Sequence, residues 1–157
     1  MIRALFVMLV AAACGGQAAP SSGATPGGPP TSQDDPGAPS PKAAVSAFMD
    51  AIKAQDLDAI AVIWGTDKGP ARDVVPADQL RKRELIMECY FQHDNYQVKS
   101  DVESSANLHA VVISVTKGAI TRETKMQVVK GPHDRWYVNN MSLEPLQDIC
   151  SGQNTAK

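Results

Sequence analysis

Three histidines and three cysteines carry most of the chemistry open to this chain of 157 residues. His93, His109 and His133 do not fall at His-x-His or His-Glu-x-x-His spacing, so no metal centre and no other cofactor is expected. His93 is followed by Asp94 and His133 by Asp134, but both pairs sit in turn-like stretches and read as turn residues, not as dyads. His109 lies beside Val111, Ile113 and Val115, which places it at a strand end or facing the interior. No Asp or Glu stands out at an inward position to serve as a base, so no catalytic residue is assigned.

Of the cysteines, Cys14 follows a short targeting segment. Arg3 precedes a ten-residue apolar run, Ala4 to Ala13, which rises only about 15 Å as a helix and is too short for a stable span. The string Val10-Ala11-Ala12-Ala13-Cys14-Gly15 resembles a bacterial lipobox, with Ala11 where that pattern prefers Leu. The resemblance implies cleavage before Cys14, lipidation of its thiol and display from a membrane of the bacterial cell envelope, facing the periplasm or the exterior. The alternative is an ordinary secretory signal cut after Ala13, with Cys14 incidental.

Gly15 to Pro41 contains almost nothing but small and polar residues and holds seven of the eleven prolines. Such a composition cannot offset its ordering entropy, so residues 14–41 are expected to form a lipidated cysteine and a disordered tether behind a signal peptide at 1–13. A disordered tail is expected at 151–157. What remains, 42–150, is one domain of ordinary size. The net charge is −2, and one unit more negative once Arg3 leaves with the leader, which argues against a nucleic-acid partner.

Three elements should open that domain. Ser40-Pro41 is a helix start, after which Val45, Phe48, Met49 and Ile52 mark one apolar face. Asp56 caps a second helix carrying Leu57, Ile60, Ala61 and Trp64, which Gly65 ends. Thr66 to Val75 reads as a loop, and Pro76 opens a third helix reaching about Tyr90, with Leu80, Leu85, Ile86, Met87, Cys89 and Tyr90 as its apolar positions. Its run Arg81-Lys82-Arg83 reads as a solvated face partly neutralised by Glu84 and Glu88; the functional alternative is an anionic ligand or lipid head groups.

Four strands follow. Tyr96, Val98, Ser100 and Val102 alternate with polar residues, Leu108 to Thr116 is apolar on both faces, and Ile120 to Val129 turns Met126 and Val128 inward. The last strand starts at Trp136. Short connections predict antiparallel neighbours, giving an α+β fold in which three N-terminal helices pack on a curved four-stranded antiparallel meander. With Cys14 lipidated, Cys89 and Cys150 remain as an even pair in an exported protein, and a disulfide between them is expected.

The segment Ala44-Val45-Ser46-Ala47-Phe48-Met49-Asp50-Ala51-Ile52-Lys53-Ala54-Gln55-Asp56-Leu57-Asp58-Ala59, followed by Trp64-Gly65, resembles the opening helices of nuclear-transport-factor-2-like, cystatin-like cone domains, many of which carry Gly where Gln55 stands. The resemblance spans about residues 42 to 146 and implies a long helix inside a curved sheet, enclosing a cup. The candidate lining is Phe48, Ile52, Trp64, Tyr96, Val98, Arg122, Thr124, Met126, Tyr137 and Asn140. This superfold hosts isomerases, cyclases and non-catalytic binders alike. The expectation is a membrane-anchored, non-catalytic envelope lipoprotein that binds a small apolar ligand or a protein partner, with dimerisation compatible. The alternatives are an isomerase- or cyclase-like enzyme, and a structural or inhibitory module whose sheet surface makes the contact.

Overall fold

The computed structural model describes residues 36–152. Cys14, the leader, most of the tether and the last five residues lie outside the described residues. Helix α1 (Pro41–Ala54) starts where its sequence says it should: the Ser40 hydroxyl accepts the Ala43 N–H at 3.2 Å and Pro41 occupies the first turn. It ends on Gln55 in the left-handed conformation (φ 56°), and Asp56 at once caps α2 (Leu57–Ile63) by accepting the Ala59 N–H at 2.9 Å. Two caps in successive residues turn the chain so that both helices bury their apolar faces on one surface.

The stretch expected to be a loop is more ordered than its Gly and Pro content suggested. Strands β1 (Gly65–Thr66) and β2 (Gly69–Pro70) form a minimal hairpin, and α3 (Ala71–Val74) follows as a single turn. Helix α4 (Ala77–Phe91) is the expected third helix, and α5 (Gln147–Ser151) closes the domain after the sheet. The helices therefore number five, not three, among the described residues. The short ones escaped periodicity because one turn is shorter than the repeat that would reveal it.

Strands β3 (Asn95–Ser105), β4 (Leu108–Lys117), β5 (Ile120–Lys130) and β6 (Trp136–Met141) pair antiparallel in sequence order, so the architecture is α+β with a four-stranded meander. Register shifts interrupt β3 between Val98 and Ser100 and between Glu103 and Ser105, and the β5–β6 ladder at Gln127–Val128. Each inserts a residue that bends its strand and flips the faces of everything beyond it. The core lies between α1 and the sheet: Phe48, Met49 and Ile52 meet Val111, Ile113, Val115, Met126 and Val128, all with no exposed surface. Phe48 also meets Phe91 of α4 edge-on at 5.5 Å between ring centres.

The folded part begins earlier than residue 42. Ala38 pairs with Trp136 through two backbone hydrogen bonds of 2.9 and 2.8 Å, and the Gly37 N–H donates to the Val62 carbonyl at 3.0 Å. Arg135 donates to the Pro36 and Gly37 carbonyls at 3.3 and 2.9 Å. These residues were assigned to the tether by composition; the open edge of β6 holds them by main-chain pairing, which composition does not register. Further along, Trp64 bridges Val138 and sends its indole N–H to the Asn139 carbonyl at 3.1 Å, so this side of the sheet is sealed. On the opposite side, β3 is the free edge among the described residues.

Candidate functional site

The expected cup is packed shut at its centre. Phe48, Ile52 and Met126 belong to the hydrophobic core with zero exposure, whereas a chamber wide enough for even one water would leave its walls accessible. Trp64, Tyr96 and Val98 are half-buried against that core. Thr124 is buried and its hydroxyl donates to the Ser142 carbonyl. Arg122, on the same face of β5, reaches out to Asp148 of α5 and closes the far end with an ion pair. Two of the ten residues face elsewhere. Trp136 and Val138 belong to the core, so Tyr137 between them points the other way and is buried against Gly37 and Gly131. Asn140 lies beyond the shifted register, opposite Gln127 on the outer face. The ten therefore do not surround one hollow: Tyr137 faces away by simple alternation with Trp136 and Val138, and Asn140 because the register shift after Val138 turns it outward.

The same physics assembles a pair that inspection of spacing missed. Up to Val98 the inward residues of β3 are the even ones, paired with Val115 and Ile113; past the first shift, Asp101 stands opposite Val111 and Glu103 opposite His109. Val102, expected inward, is consequently 58% exposed. Asp101 now faces His109, and Nδ1 of the ring lies 2.7 Å from Oδ1 of the carboxylate. The carboxylate can only accept, so Nδ1 carries the proton of this hydrogen bond. Trp136 packs edge-on against the imidazole at 5.0 Å, and the Lys130 ammonium sits 5.8 Å over the indole. A histidine oriented by a carboxylate is the arrangement of a general base. Its one trace in the sequence is Ser100, a polar residue where the alternation calls for an apolar one.

The other histidine pairs behave as turns. The His93 ring contacts the Phe91 carbonyl at 2.9 Å while Asp94 accepts the Gly118 N–H at 2.7 Å, so the two side chains diverge. His133 and Asp134 both adopt left-handed backbone angles, and a hydrogen bond from Lys130 holds the Asp134 carboxyl below its ordinary range. Cys89 and Cys150 form a disulfide with Cα atoms 4.9 Å apart, which ties α5 to α4. No group of three or more metal-ligating side chains occurs among the described residues.

A second polar feature lies between α2, α3 and α4, where a hollow of about 220 Å³ is bordered by Asp58, Val62, Arg72, Leu80, Arg81 and Glu84. Glu84 is only 3% exposed. Desolvation raises its carboxyl above the ordinary range and the Asp58 charge adds to the rise, against the opposing pull of Arg81 at 3.7 Å. Glu84 occupies the helix face that Leu80, Met87 and Phe91 turn inward, a position its spacing reveals and its chemistry conceals.

No protein-family model matches this chain, and no curated protein and no solved structure is significantly similar to it.

Proposed function

We propose that this protein is a membrane-anchored, non-catalytic cell-envelope lipoprotein whose cone-like domain engages a protein partner through its sheet surface. The observation that carries this reading is the filled interior: Phe48, Ile52 and Met126 occupy the space where a small apolar ligand would have to sit. Recognition is thereby left to the outside, and the free edge of β3 offers unpaired main-chain groups to an added strand. Residues from Ser100 to Ser105 are exposed on both faces of that strand. The anchor follows from Cys14 and its lipobox-like context, and a single nuclear-transport-factor-2-like cone suits a module displayed on a tether.

Two measurements test this reading. Cys14→Ser should move the protein from the membrane to the soluble fraction when membranes are washed at about 1 M salt, which screens peripheral electrostatic contacts; association that survives the wash overturns the anchor. Native mass spectrometry of the mature protein from its own host should show a protein partner, and Val98→Pro in the edge strand should release it. A stoichiometric apolar small molecule in its place overturns the surface reading.

A second reading rests on the Asp101–His109 pair: an isomerase-like enzyme in which Nε2 of His109 moves a proton. Any such turnover in the purified protein should fall about 10²- to 10⁴-fold in His109→Ala. Activity retained in that variant rules the pair out.

A further inference from the structure

We infer that the outward face of α4 is a membrane-contact surface that lays the domain against an anionic phospholipid bilayer. Because Glu84, Met87 and Phe91 take the inward positions, the neighbouring apolar residues are displaced to the outside: Leu85 is 49% and Ile86 48% exposed. Lys82 lies one turn before them on the same face, with Arg81 and Arg83 on its two flanks. Two adjacent large apolar side chains beside Lys82 and Arg83, with Arg81 turned towards Glu84 at the border, is the composition of an interfacial helix face: the apolar groups enter the head-group boundary and the two outward cations meet lipid phosphates.

The acids of α4 are mostly turned away from this face. Glu84 is buried, and the Glu88 carboxylate accepts the Gln55 amide at 3.0 Å on the side towards the α1–α2 corner. Asp78, in the first turn, is the one acid of α4 that shares the outward face. Arg83 is held by the Gln79 side chain at 3.2 Å, which leaves its charge uncancelled. Val74 of α3, which packs beside α4, is also exposed. The surface is thus locally basic on a chain whose net charge is −2.

The path of the chain favours a bilayer over other anionic partners. Gly37 hydrogen-bonds Val62 of α2, and α2 packs against both α3 and α4, so the first described residues sit on the helix that carries this surface's neighbours. The stretch of chain between Cys14 and Pro36 is long enough to keep α4 within reach of the surface that would hold a lipidated Cys14. This orientation rests on the anchor proposed above; the contact surface itself does not, and the test separates the two.

The mature chain from residue 14 carrying Cys14→Ser is mixed with vesicles of phosphatidylglycerol and phosphatidylcholine in equal amounts, and with vesicles of phosphatidylcholine alone, and co-sedimentation is measured. Binding is expected to the anionic vesicles only, and to weaken as salt shortens the Debye length to about 3 Å near 1 M. The double variants Lys82→Glu/Arg83→Glu and Leu85→Ser/Ile86→Ser should each weaken partition at least about tenfold, with circular dichroism unchanged. Absence of binding to the anionic vesicles, equal binding to neutral ones, or undiminished binding by both variants overturns the proposal. So does conversion of a wild-type dimer into a monomer by Leu85→Ser/Ile86→Ser without any vesicle binding, which assigns the patch to a second copy. Vesicle binding by the Cys14→Ser chain, together with wild-type protein that leaves host membranes completely in a wash at about 1 M salt, keeps the contact surface and condemns the lipid anchor instead.

Discussion

Gly37 lies flat against the ring of Tyr137, so close that a methyl group on its Cα would stand 2.8 Å from Cζ. From the other side, a methyl on Gly131 would come within 2.8 Å of Cε2 of the same ring. The Tyr137 hydroxyl reaches the Pro36 carbonyl at 3.3 Å. The aromatic ring thus clamps the first described residues of the chain onto β6. Gly37 also has φ of +77°, a conformation a side chain resists. Gly37→Ala should therefore destabilise by about 1–3 kcal/mol in urea unfolding, and Tyr137→Ala by about 3 kcal/mol or more. Wild-type stability in both variants would mean that the clamp is not formed.

Cys89→Ser should cost about 4 kcal/mol at most, the chain-entropy value for a crosslink spanning 61 residues. The loss should fall somewhat short of that, because Leu146 and Ile149 remain buried and Arg122 still pairs with Asp148. Unfolding with and without reductant measures it. A midpoint insensitive to reductant, or two titratable thiols in the oxidised mature protein, contradicts the tie.

Glu84 makes stability depend on pH in a definite direction. Burial raises its folded carboxyl above the ordinary value of 4.5, so between 4.5 and the raised value the folded state binds more protons than the unfolded one. Its contribution is then fully favourable below 4.5 and is lost as pH rises through the folded value. Glu84→Gln removes the dependence, so the stability of the variant minus that of wild type should increase from pH 4 towards pH 7. Arg81, whose side chain is mostly in solvent, loses little when its partner is neutral. A flat difference curve, or one of opposite slope, refutes the assignment.

The Asp101–His109 contact should show in a double-mutant cycle. Asp101→Ala and His109→Ala are expected to be coupled by about 0.5–1.5 kcal/mol in unfolding free energy. Coupling near zero would place the two side chains apart in solution, and with them the bulge that turns Asp101 inward. A single-residue deletion at Lys99, the extra residue of the bulge, tests the register directly: it should leave Asp101 opposite Val111 and preserve the coupling to His109, whereas loss of the coupling would mean that the bulge lies elsewhere.

Much of the architecture is legible in local chemistry. Ser40-Pro41 and Asp56 start α1 and α2 where hydroxyl and carboxylate caps should, because a cap is a contact between residues three apart. The four strands and their order follow from alternation and from loops too short to permit anything but antiparallel neighbours. The pairing of Cys89 with Cys150 follows from counting once Cys14 is set aside, since no other cysteine remains.

The faces beyond the bulges could not be read in this way. A register shift costs one residue and no particular residue type, yet it inverts every side chain after it, which exposed Val102 and brought Asp101 to His109. Nor could composition place Pro36 to Ala38 in the fold, because a main-chain pair with Trp136 makes no demand on side chains. Helix α4 shows the same division. Its sequence determines a helix with apolar and basic residues intermingled; only packing against α2 and the core decides that Glu84 goes inside while Leu85 and Ile86 stay out. Local sequence selects elements through contacts a few residues long, whereas the choice of which face is buried belongs to partners many residues away.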